Sequence, residues 1–282
     1  MTTATFSQAP RRPISRRGSL RWLISDVVVL ARRSLARIAR EPETLMDVTI
    51  QPIIFVLLFA FVFGGAIPLP GGGNYHEYLI GGMLAMGLAA TAPGTAVALV
   101  TDMSSGLIDR FRSLPTARSA VLAGRTLADL VTQVIGTVVI AGVGLAIGWR
   151  IHSSVGDAAA AFGLALLFGY AFTWVGACLG MVLRSPEAAQ QMGFVLFLPL
   201  TFVSNAFVPT QGMPGWLQPI AEWNPMSALA AASRHLFGNP NPAASVQAWP
   251  MQHPALAVVA WSVVLLALFA PLAVHLYRRN AR

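Results

Sequence analysis

The chain of 282 residues is 55% hydrophobic and only 11% charged, whereas soluble domains carry about 25% charged residues, so water is excluded as its main solvent. Its formal net charge is +8, and all 19 basic residues are arginine. Without lysine there is no Walker A loop to cradle ATP and no Schiff-base chemistry, so nucleotide energy can drive this protein only through another chain.

Residues 1–19 are rich in Pro, Arg, Ser and Thr and predict a disordered tail. They predict no secretory leader, because the apolar stretch that follows is broken by Arg32 and Arg33 and offers no small-residue cleavage site. From Leu20 to Arg40 the pattern is two-faced: Leu20, Leu23, Ile24, Val27, Leu30, Leu35 and Ile38 oppose Arg21, Ser25, Arg32, Arg33 and Arg37. Such a helix lies in the headgroup plane, where each arginine near an anionic leaflet contributes about 1 kcal/mol. Pro42 is expected to stop it.

Six apolar runs follow, near residues 48–67, 78–100, 127–149, 158–183, 191–209 and 255–277. Each is about 20 residues long, enough to cross a hydrocarbon core as a helix. The expected fold is an all-α integral membrane protein: six transmembrane helices, an N-terminal interfacial amphipathic helix, and short external helices between spans five and six. Residues 1–45 are assigned to the tail and interfacial helix and 46–282 to the transmembrane domain, with a charged loop at 101–126 and external helices within 210–254.

In span two, Pro93 predicts a bend, and its small residues predict close helix contact. The loop that follows carries Leu107, Phe111 and Leu114 at i, i+4 and i+7 with Ile108 beside them, while Asp109, Arg110 and Arg112 take the other side and Pro115 ends the turn. A helix of about two turns does not persist alone in water. It needs a surface, either the lipid interface or a partner protein. Beyond the loop, Arg125 and Asp129 stand four apart and can pair at the interface. Gly144 with Gly148, and Gly176 with Gly180, fit small-residue packing. Asn205, near the end of span five, faces a path or bonds a neighbouring helix. In the segment 210–254, Asn224-Pro225 opens a helix and Gly238 closes it; its apolar Met226, Leu229, Leu236 and Phe237, with Trp216, Leu217, Ile220 and Trp223 before them, predict short helices dipping into the outer interface, the depth that tryptophan prefers.

The arginines are distributed by topology. Nine precede the first run, four lie between the second and third, one lies between the fourth and fifth, and three follow the sixth. The positive-inside rule then puts both termini in the cytoplasm, and the pattern argues against a nucleic-acid surface. One cysteine, Cys178, and five scattered histidines predict no disulfide and no metal site. No Asp, Glu, Arg or His falls near the middle of any run. Ion-coupled transport and intramembrane hydrolysis need such groups at depth, so the driving force is expected to enter from outside the lipid.

Three places resemble the ABC-2 type permeases of ATP-driven exporters, and among them the daunorubicin/doxorubicin-resistance type of drug-efflux permease. They are Arg40-Glu41-Pro42 with Gln51-Pro52, the loop from Gly106 to Pro115 followed by Arg118 and Gly124-Arg125, and Ser204 to Pro209 with Met213-Pro214 and Asn224-Pro225 through Arg234. Ser104-Ser105 and Ala228 depart from the pattern.

The resemblance implies export of an amphiphilic drug-like or lipid-like compound from a bacterial inner membrane by a multi-pass permease. It implies a second permease, identical or a sister chain, and two copies of a separate ATP-binding subunit that holds ATP and Mg, with no cofactor in this chain. It implies that Gly106, Leu107, Ile108, Asp109, Arg110, Phe111, Arg112, Leu114 and Pro115 couple to that subunit. Spans two and five would then border the substrate path, making Met83, Met86, Leu196 and Asn205 the candidates. Two other readings are a membrane enzyme for lipid-linked substrates using Glu222, His235 or His253, which lack a paired acid/base arrangement, and a non-transporting anchor or sensor.

Overall fold

The computed structural model describes residues 42–104 and 118–280, and no strand occurs among them. The predicted helix at Leu20 to Arg40 and the loop at Gly106 to Pro115 lie outside the described residues. Pro42, expected as a stop, is the first described residue of α1 (Pro42–Leu58), a placement suited to a ring that needs no N–H partner in the first turn. A π-helical turn (Phe59–Phe63) completes α1.

The second run forms two helices, α2 (Tyr75–Ala89) and α3 (Thr91–Ser104). The break at Ala90 follows from Pro93, whose ring displaces the Ala89 carbonyl and supplies no N–H to it. Asn74 caps α2, its side-chain oxygen accepting from the His76 N–H at 2.9 Å. Then come α4 (Arg118–Ala146) and α5 (Val155–Val182), the latter capped by Ser154. Helix α6 (Pro186–Phe202) is capped by Ser185. The segment beyond it holds α7 (Gln218–Glu222), α8 (Pro225–Phe237) and α9 (Trp249–Gln252), and α10 (Pro254–Asn280) closes the chain.

Among the described residues, four stretches are long and apolar enough to cross a membrane: Tyr75–Ser104, Arg125–Ala146, Val155–Val182 and Pro254–Tyr277. The apolar part of α1, Val48–Phe63, is shorter, and α6 has 17 residues. The fifth run differs from its expected extent of 191–209. Its helix starts earlier and stops at Phe202, because the chain after it turns through Ser204 and Asn205. The Ser204 Oγ accepts from the Ala206 N–H at 3.1 Å, a local bond that competes with continuing the helix.

Two ends of the bundle are defined by contacts. At the loop end, Leu99 and Met103 of α3 pack with Trp174 and Met181 of α5 and with Tyr277 of α10. At the far end, the start of α2 meets the segment after α6, with the Tyr75 hydroxyl donating to the Phe207 carbonyl at 3.2 Å. There too the indole of Trp149, beyond α4, donates to Asn239 Oδ1 at 2.7 Å.

Glycine permits the closest crossings. A Cβ on Gly82 would sit 1.8 Å from the Ala206 carbonyl oxygen, and one on Gly176 would sit 2.1 Å from that of Ala92. Gly176 and Gly180 therefore spend their small face on α3 within the chain, whereas Gly148 lies beyond the end of α4 at φ +102. Gly176→Val is expected to destabilise the folded chain by about 2 kcal/mol or more, as overpacking does, lowering the midpoint of thermal unfolding in detergent. Gly163→Ala, where a Cβ meets open space, is the control and should leave the midpoint the same or slightly raised, since alanine favours a helix interior over glycine.

Candidate functional site

At the loop end, the loop that the sequence singles out is flanked by α3 and α4. The predicted pair is present: Arg125 Nε lies 3.2 Å from Asp129 Oδ1. It is not a surface pair, since Asp129 is buried. Asp129 Oδ2 also accepts from the Thr95 hydroxyl of α3 at 2.9 Å. One turn on, the Gln133 amide donates to Thr91 Oγ1 at 3.1 Å, and Thr137 follows, buried. Residues 125, 129, 133 and 137 recur every four positions and so form one polar stripe on α4. Within the four membrane-length stretches, every Asp, Glu, Arg and His lies near an end.

At the far end, the structure corrects the position of α8. Its apolar residues Met226, Leu229 and Phe237 are expected on an outer interface but are fully buried, as is Arg234. Helix α8 packs against α2, α5 and α10 inside the bundle. A guanidinium carried to such a place must find partners for its donors. Arg234 Nε donates to the Tyr78 carbonyl at 2.8 Å, and one terminal nitrogen donates to the carbonyls of Asn205 at 3.0 Å and Ala206 at 2.9 Å. The other reaches Asn205 Oδ1 at 3.3 Å, and the group lies 3.4 Å from the centre of the Tyr78 ring. Asn224 completes the set, donating through its amide to the carbonyls of Leu200, at 2.7 Å, and Val203. The chain leaving α6 thus has its freed carbonyls satisfied by two side chains of the α8 region, as a buried backbone requires.

Sequence reasoning missed this cage. The available signal was one arginine set directly after four small residues, Ala230 to Ser233. A cation preceded by a run of small side chains is placed to approach backbone closely.

The candidate path residues do not form one surface. Met83 and Asn205 are buried in the chain's own packing. Met86 is partly buried between two core clusters, and Leu196 of α6 is 48% exposed. Asn205 bonds its neighbours, through Arg234 and through its backbone N–H, which donates to Ser227 Oγ at 2.9 Å.

The three residues of the enzyme reading stand apart. Glu222 ends α7, His235 is in the last turn of α8 and His253 follows α9, its ring tilted against that of Trp249. Partial burial pushes the Glu222 carboxyl above its ordinary range. Among the described residues, no group of three or more metal-ligating side chains comes together.

A bundle of apolar helices whose membrane-length stretches keep Asp, Glu, Arg and His at their ends defines a multi-pass membrane protein. The ABC-2 type transporter family matches residues 25–237, and the chain belongs to that family. It is 32% identical to the daunorubicin resistance ABC transporter permease protein DrrB1 of Streptomyces coeruleorubidus, over 99% of each chain. It is 24% identical to the probable doxorubicin resistance ABC transporter permease protein DrrC of Mycobacterium tuberculosis, over 99% of this chain and 97% of the other. A third relative is the putative transport permease ycf38 of Pyropia yezoensis, 29% identical over 78% of this chain and 76% of the other. The chain is accordingly the permease subunit of an ABC transporter, and a separate ATP-binding subunit is implied.

Proposed function

We propose that this chain exports an amphiphilic, drug-like compound across a bacterial inner membrane, acting as a pair of permeases with two copies of the ATP-binding subunit. ATP and Mg bind on that subunit. Both termini and the loop from Gly106 to Pro115 face the cytoplasm, and the six apolar runs all cross the membrane, α1 and α6 as the short spans. The loop helix seats its Leu107, Phe111 and Leu114 face on the ATP-binding subunit.

The observation that carries this reading is the pairing of an apolar interior with an arginine-rich loop in a chain that has no lysine. No Asp, Glu, Arg or His lies near the middle of a membrane-length stretch, and the buried Arg234 is committed to backbone carbonyls, so no such group is placed to use an ion gradient. The likeness to permeases named for daunorubicin and doxorubicin resistance supports a drug-like cargo.

The test is co-expression with its ATP-binding subunit, purification in detergent and native mass measurement. Two permeases with two ATP-binding subunits are expected, with ATP hydrolysis present only in the complex. Hydrolysis by the isolated chain, or failure of the two proteins to associate, would contradict the reading.

A further inference from the structure

The polar stripe on α4 is a tie between the two helices that flank the loop. Helix α3 packs mainly against α5 and α6, and α4 mainly against α1, α2 and α5. Two polar rungs join α3 to α4: Thr95 to Asp129 at 2.9 Å and Thr91 to Gln133 at 3.1 Å. Both partners in each helix are four residues apart, so the rungs are stacked one turn from each other. Arg125 adds its bond to Asp129 at 3.2 Å and holds the carboxylate in place.

The rungs stand at a hinge. The helical path breaks at Ala90, and both Thr91 and Thr95 lie on the loop side of that break. On its other faces α3 is keyed into the bundle. Its Ala92 and Ala96 carbonyls lie against Gly176 and Gly180 of α5, and its Pro93 ring lies against Gly193 of α6. Whatever displaces α3 is thus passed directly to α5 and α6.

We infer that the Thr91–Gln133 and Thr95–Asp129 rungs lock α3 to α4 as one lever, so that movement of the loop between them reaches α5 and α6 instead of being absorbed by swinging of α3 about Ala90. Thr91, Thr95, Asp129 and Gln133 are positioning residues in this device. A packed element with two discrete positions is what energetic coupling requires, and a buried polar ladder resists sliding better than apolar contact, because a displaced rung leaves unpaired groups in a low dielectric. This inference rests on the docking role proposed for the loop.

The test uses the assembled permease and ATP-binding subunit in proteoliposomes, with daunorubicin as the transport probe. Thr91→Val/Thr95→Val keeps side-chain shape and removes both hydroxyls, and Thr91→Ser/Thr95→Ser restores them. The valine pair is expected to retain the ATP-binding subunit and its unstimulated ATP hydrolysis, while losing the probe's stimulation of hydrolysis and about tenfold in transport. The serine pair should stay within about twofold of the starting protein. Thr95→Val/Gln133→Leu breaks the same rungs with Thr91 intact and should reproduce the defect, which separates loss of the ladder from a folding fault at Thr91. Near-normal transport by the valine pair, or loss of the ATP-binding subunit from it, would overturn the inference. Failure of the docking reading looks different: Leu107→Asp/Phe111→Asp then keeps the ATP-binding subunit bound and active, whatever the rungs do.

Discussion

Leu107→Asp/Phe111→Asp is expected to release the ATP-binding subunit from the complex and to abolish ATP-driven transport, with membrane insertion unchanged. Full burial of a leucine or phenylalanine side chain is worth about 1.5 to 3 kcal/mol, and the two stand four residues apart on one predicted helical face. Losing both removes about 3 to 6 kcal/mol from the docking contact, or roughly two to four orders of magnitude in affinity. The aspartates add the cost of desolvating two carboxylates. Insertion is governed by arginines that the substitutions leave in place. The measurement is retention of the ATP-binding subunit on the tagged permease. Normal retention together with normal transport would remove the docking role from this loop.

The second large effect is structural and falls at the opposite end of the bundle. Arg234→Ala removes the guanidinium donors from the carbonyls of Tyr78, Asn205 and Ala206, although the Asn205 carbonyl keeps the Tyr78 hydroxyl. An unsatisfied buried acceptor costs about 1 to 3 kcal/mol, and the vacated volume adds a cavity term. Removing a buried cation offsets part of this, so the net loss is about 3 kcal/mol. For a chain of this size that corresponds to a fall of roughly 6 to 12 °C in the thermal midpoint, read in detergent. Arg234→Lys should recover only part of it. An ammonium is a point charge and lacks the planar fork that serves three carbonyls from two directions. An unchanged midpoint in Arg234→Ala would show that the cage contributes nothing to stability.

These two sites mark what the sequence made legible and what it did not. Hydropathy located the long apolar helices, because lipid forces every backbone group into an internal hydrogen bond and so makes each apolar run a helix. Pro93 announced the break at Ala90, and Asn224-Pro225 and Gly238 marked the ends of α8. The depth of α8 was not legible, since residues such as Met226 and Leu229 read alike in an outer interface and in a packed bundle. What decides is whether the carbonyls freed after α6 find donors, and Arg234 and Asn224 supply them from about 20 to 30 positions away. Likewise, Arg125 and Asp129 were visible as an i,i+4 pair, whereas Thr95 enters the same cluster from 34 residues away. Periodicity sees one helix at a time. Which helix faces a polar stripe is settled by tertiary packing.

The central claim is that a subunit without nucleotide chemistry of its own performs transport with work delivered through its loop. The most direct measurement is uptake of daunorubicin into inside-out vesicles containing this chain with its ATP-binding subunit, each partner alone, or neither. Uptake against a gradient is predicted only with both proteins and hydrolysable ATP, and it should survive collapse of the proton and sodium gradients. Uptake by the permease alone, or uptake that stops when an ion gradient is collapsed while ATP remains, would contradict the account.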